Sequence, residues 1–133
     1  MAVMEQIVVD TSAYSAFLRG DNKLRPYFSA KKSIVVPIIV IGELRAGFAA
    51  GNKQQENETR LRRFLDSPNV EAVLITDNTT QLYASIYASL KAAGTPINTN
   101  DMWIAALTLE HHSLLLTLDS DFNRVPDLLL AKI

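Results

Sequence analysis

The chain has 133 residues, enough for one ordinary domain with a real core, and its 48% hydrophobic and 20% charged residues exclude a disordered chain. A net charge of −1 does not mark the whole chain as a polyanion binder. The absence of cysteine excludes disulfides, thiolate metal sites and thiol nucleophiles.

Residues 1–9 are too short and too acidic for a signal peptide, and the longest apolar run, 34–41, falls far below the ~20 residues of a membrane helix. A cytoplasmic protein is expected. Residues 5–10 read as a short buried strand ending on Asp10, with Thr11 and Ser12 as helix N-cap residues after it. That helix ends at Gly20, and 24–30 forms a second short one. A strand over 33–36 precedes Pro37, which suits the first turn of a helix reaching Ala50. Residues 54–65 form a basic helix, 70–75 a third strand, and 77–93 a long helix closed by Gly94. Thr99 or Asn100 caps a helix to about His111, 114–117 is a fourth strand, 119–123 a loop and 128–133 a possible last strand. Strands alternating with helices predict βαβ units, a mostly parallel sheet and helices on both faces, in one domain over residues 1–133.

Charge is unevenly divided. Residues 1–66 carry ten Lys/Arg against seven Asp/Glu, and residues 67–133 carry three against seven. A basic half suits a polyanion and an acidic half suits cations. The two histidines, His111 and His112, are adjacent, so on a helix they cannot serve one site together. A metal site here is therefore built mainly of oxygen, the donor set of Mg²⁺ or Mn²⁺.

Four carboxylates stand out by position: Asp10 at the end of the first strand, Glu43 inside an apolar helix, Asp101 opening another apolar helix, and Asp119 just after the fourth strand. In open parallel sheets, sites form outside the carboxyl ends of the strands, where Asp10 and Asp119 fall. Glu43 lies about two turns into a helix rising from that edge. Asp101 opens a helix that leads into a strand, and is expected at the opposite edge unless the preceding loop folds over the site. Each acid also has an ordinary explanation: a cap or turn for Asp10, helix-dipole complementarity for Asp101, a turn for Asp119 and Asp121. Glu43 is harder to dismiss, with Gly47 leaving room one turn on. Spacing alone leaves a shared site and scattered caps both open.

Taken together the motifs resemble the PIN-domain family. Val8-Val9-Asp10-Thr11-Ser12 resembles its first motif, and Pro37 to Gly47, with Glu43-Leu44-Arg45, its second. Asn100-Asp101-Met102-Trp103-Ile104-Ala105-Ala106 is similar to the third, and Leu116-Thr117-Leu118-Asp119-Ser120-Asp121-Phe122 with Arg124-Val125-Pro126 to the fourth. The resemblance is closest to the toxin half of VapBC toxin–antitoxin pairs and spans essentially the whole chain. One departure is His111-His112-Ser113, where a glycine turn is more typical.

The resemblance implies an α/β/α sandwich with a sheet of about five strands, and endonucleolytic cleavage of RNA with Mg²⁺ or Mn²⁺, leaving 3′-hydroxyl and 5′-phosphate ends. It assigns metal-ligand roles to Asp10, Glu43, Asp101 and Asp119, and brings Asp101 to the shared cluster. Thr117, Thr11, Asp121 and Arg45 are candidate auxiliary residues, Arg45 as a phosphate ligand. A homodimer and an antitoxin partner are expected. The residues also frame the alternatives. A non-catalytic PIN-like RNA-binding module should have lost one of the four acids, all of which are present. A phosphoacceptor signalling domain needs a lysine after a later strand, and none lies between Lys91 and Lys132. Arg60, Arg62 and Arg63 read as a solvated helix face rather than an RNA contact, and Trp103 as core rather than a base-stacking platform.

Overall fold

A computed structural model describes residues 5–133; the first four residues of the stretch tested for a signal peptide lie outside it. Four short strands, β1 (Gln6–Val9), β2 (Ser33–Pro37), β3 (Val70–Val73) and β4 (Leu114–Leu116), form one parallel sheet in the order β3-β2-β1-β4. Five helices flank it: α1 (Thr11–Leu18), α2 (Ile38–Ala50), α3 (Gln54–Leu65), α4 (Asp77–Ala93) and α5 (Thr99–Glu110). This is the expected three-layer sandwich with one strand fewer than about five. The segment expected as a last strand is reduced to a single parallel bridge, Leu115 to Leu130. Its neighbour Asp127 has φ 65, a left-handed turn, and little length remains for a ladder. The expected short helix at 24–30 is a 3-10 turn, Arg25–Phe28, with Pro26 at its start.

Strands β1, β2 and β4 are apolar because both their faces are covered, whereas β3 leaves Glu71 and Ala72 exposed. Ile7, Val8, Val9, Ile34, Val35, Val36, Leu115 and Leu116 are all buried. Helix α5 is apolar nearly all round for the same reason: Met102 and Ile104 to Thr108 are buried between the sheet and α4. The two helices run antiparallel. Thr79 near the start of α4 donates to Glu110 at the end of α5 (2.6 Å), and midway Tyr83 stacks on Trp103 with ring centroids 4.0 Å apart. Trp103 is thus half-buried against Tyr83, outside the buried core where it was expected.

Among the described residues, Gly20, Gly94, His112 and Asp127 take left-handed backbone. Gly94 closes α4 at φ 69, where glycine is free of side-chain strain. His112, at φ 50, fills the turn before β4 where a glycine is more typical, and keeps that turn's geometry at some strain.

Strand order positions the site. From β1 the chain moves to β2 and β3 on one side, then returns to place β4 on the other side of β1. The switch point lies between β1 and β4, and the crevice outside their carboxyl ends is where open parallel sheets bind ligands.

Candidate metal centre

Register brings the first two functional groups together. Val9 pairs with Leu116, and the Asp10 N–H donates to the Leu116 carbonyl (3.3 Å), so Asp10 and Thr117 leave the sheet side by side. The Thr117 hydroxyl donates to Asp10 Oδ2, and the Asp119 N–H donates to that same hydroxyl (2.9 Å). Asp10 Oδ1 accepts from the Ser12 hydroxyl (2.7 Å) and the Ala13 N–H (2.9 Å). Asp10, rather than Thr11 or Ser12, is therefore the N-cap of α1. Capping and a site role are compatible, since a carboxylate has lone pairs to spare.

Glu43 approaches from α2, which starts at the carboxyl end of β2. Thr11 Oγ1 donates to its Oε1 (2.8 Å), and Asn100 Nδ2 to its Oε2 (3.4 Å). Asp101 joins from the first turn of α5. The expectation that it sits at the opposite edge is corrected by topology. A helix that feeds the amino end of a parallel strand must itself begin at the carboxyl edge, and α5 feeds β4 in this way. Asp10, Glu43, Asp101 and Asp119 line one cleft of about 350 Å³, with Thr11, Ser12, Ser15, Asn98 and Ile104. One carboxylate oxygen from each of Asp101, Asp119 and Asp121 lies within 4.8 Å of the others. Asp121 is tied in because its N–H donates to Asp119 Oδ1 (2.9 Å).

Crowding shows in the acids' affinities for protons. Burial, then the charges of Asp119, Glu43, Asp10 and Asp121, push Asp101 up to about 6. Burial also raises Asp10 above its ordinary value, opposed by the bonds from Thr117, Ala13 and Ser12 and reinforced by Asp119. No cation is among these causes. An all-oxygen set of close carboxylates fits a hard divalent ion such as Mg²⁺ or Mn²⁺.

The auxiliary candidates divide. Thr11, Thr117 and Asp121 are at the cluster, whereas Arg45 is turned to α3, where its guanidinium donates to both oxygens of Glu58 (3.0 and 2.9 Å). Arg62 and Arg60 are paired with Glu58 and Glu56 on the exposed face of α3, as expected of a solvated helix. Ser12, Asn98 and Asn100 went unread as site residues. Ser12 has the look of a helix cap in sequence, and only the β1–β4 register makes it a bridge between Asp10 and the Leu118 N–H (3.0 Å).

Thr117→Val keeps shape but strands the Asp119 N–H and removes a donor from buried Asp10. It is expected to cost about 1–2 kcal/mol in urea unfolding, with cleft activity falling alongside. An unchanged unfolding midpoint would show that the hydroxyl contributes nothing to stability.

A parallel sheet between helices, with four acids in the crevice at its switch point, defines an α/β/α domain with its candidate site where open parallel sheets place theirs. Residues 7–128 match the PIN-domain family model, and the chain belongs to that family. It is 29% identical over 92 residues to ribonuclease VapC4 of Mycobacterium tuberculosis, covering 69% of this chain and 71% of that one. It is 33% identical over 95 residues to plasmid stability protein StbB of Pseudomonas syringae pv. tomato, covering 68% of each. Among solved structures, VapBC2 from Rickettsia felis bound to a promoter DNA fragment superposes with a TM-score of 0.85 at 24% identity, covering 95% of this chain and 97% of that one. No helix among the described residues is long and apolar enough to cross a membrane.

Proposed function

We propose that the protein is a metal-dependent endoribonuclease and the toxin of a VapBC-type toxin–antitoxin pair, acting in the cytoplasm. The observation that carries this reading is the cluster of Asp10, Glu43, Asp101 and Asp119 around one cleft, crowded enough to push Asp101 up to about 6. Relatives named as VapC ribonucleases support the choice of RNA. Structural neighbours titled as VapBC complexes support an antitoxin partner, and family resemblance adds a homodimer.

Asp10, Glu43, Asp101 and Asp119 would hold the cation, and Asp121 would extend the set. When bound there, Mg²⁺ or Mn²⁺ supplies Lewis-acid polarisation and counter-charge for a phosphodiester. Thr117 fixes the Asp10 carboxylate and the Asp119 backbone with one hydroxyl, while Thr11 and Asn100 orient the two oxygens of Glu43. Such preorganisation matters because donors and ligands already in place need no rearrangement as charge develops on the scissile phosphate.

The test is cleavage of mixed cellular RNA by antitoxin-free protein with Mg²⁺ or Mn²⁺, with EDTA and Asp10→Asn controls. Discrete fragments that disappear in both controls are expected. Absence of cleavage by folded protein with either metal overturns the nuclease reading in favour of a binding module.

A further inference from the structure

The cluster presents RNA with a wall of negative charge, so a cationic side chain at its rim would favour the approach of a phosphate. The candidate read from sequence, Arg45, is committed to Glu58 on another helix. We infer that Arg124 is the phosphate-binding residue of the cleft rim. Among the described residues it is the one cation ion-paired to an acid of the cluster: its Nη2 lies 3.6 Å from Asp121 Oδ1, and its Nη1 donates to the Pro96 carbonyl (3.3 Å). These two anchors come from different segments. Asp121 follows β4, and Pro96 belongs to the loop that delivers Asn98 and Asp101. The guanidinium is thereby placed beside Asp121 while its side chain stays 46% exposed.

The donor count favours phosphate. A guanidinium carries five N–H donors in a rigid fork, and two anchors leave the majority free. The Asp121 contact is long and solvent-exposed, so it orients the fork without consuming it. A side chain serving only as a loop clasp has no need of that surplus at an exposed position next to a nuclease cleft.

This inference rests on the nuclease reading, and its test separates the two. Binding of a short single-stranded RNA of mixed sequence is measured against salt concentration with Mn²⁺ present, in an Asp10→Asn background that prevents cutting. Adding Arg124→Gln is expected to weaken binding roughly 5-fold or more at low salt and to flatten the salt dependence by about 0.7 in log–log slope, the signature of one lost phosphate contact. Arg124→Lys, which keeps the charge, should restore most of the slope. Mn²⁺ affinity of the otherwise unaltered protein, read by electron paramagnetic resonance, should be unchanged or slightly tighter in Arg124→Gln, because removing a positive charge cannot by itself repel a cation. Equal salt slopes with and without Arg124 overturn the inference. So does a clear loss of Mn²⁺ affinity in Arg124→Gln, which makes Arg124 a clasp for the acid-bearing loops. If the parent protein neither binds nor cuts RNA, the nuclease reading falls and this inference with it.

Discussion

Asp101→Asn is expected to lower RNA cleavage by roughly 10³-fold while leaving the metal-free protein at least as stable as the parent at neutral pH. The two effects share one cause. Asp101 is half-buried against four other acids, and its carboxyl is held up to about 6 by burial and by their charges. At neutral pH its ionised form is therefore opposed by its surroundings unless a cation is bound. An amide of the same shape removes that opposition, with a gain on the order of 1 kcal/mol once solvent screening of a partly exposed group is allowed for. In the proposed centre it also removes a ligand of the cation. Activity and metal-free stability should thus move in opposite directions, a pattern that a merely structural aspartate does not give. Urea unfolding in EDTA and initial cleavage rates with Mn²⁺, measured on the same preparations, check it. Full activity in a soluble Asp101→Asn protein removes Asp101 from the site.

Much of this arrangement is legible in the sequence because its strongest signals are local. The helix over residues 54–65 depends on composition and the stop at Gly94 on a left-handed glycine, and both stand where expected. The last strand was less legible because its pairing is decided by the register against β4, of which only the Leu115–Leu130 bridge forms. Asp101 shows a different limit. Its edge of the sheet follows from connectivity once β4 is known to be parallel to β1, whereas motif spacing alone says nothing of direction. Arg45 sits two residues from Glu43 and invites a shared role, yet on a helix neighbours at that spacing face apart, and α3 supplies Glu58 to claim it. Ser12 was legible as a cap but not as a bridge, because its partners Thr117 and Leu118 lie far away in sequence.

A second large effect is expected from pH and metal together. In EDTA the protein should lose stability as pH rises from about 5 to 6.5, and saturating Mn²⁺ should abolish or reverse that loss. The direction follows from the raised affinities of Asp101 and Asp10 for protons. Below the ordinary value of 3.8 both acids are protonated, folded or unfolded, and neither costs anything. Between that value and about 6 the unfolded chain gives up a proton that folded Asp101 still holds, so the unfolded state binds fewer protons and stability falls with rising pH. Glu110 acts in the other direction. Burial raises its proton affinity, but the Thr79, Asn78 and Thr76 bonds and nearby His111 outweigh this and leave it below the usual 4.5. Its contribution to stability is therefore lost only as pH falls below that range, which leaves the interval near 5 to 6.5 to the cluster. A divalent cation binds the ionised acids of the folded state and not those of the dispersed chain. At 100 times its dissociation constant this adds about 2.7 kcal/mol, more than the screened cost of ionising Asp101. Urea midpoints at several pH values, with EDTA or Mn²⁺, read the effect directly. A metal-free protein whose stability is flat or rising across that interval would show that the four acids are not crowded enough to need a cation, and the case for a metal centre would then rest on family membership alone.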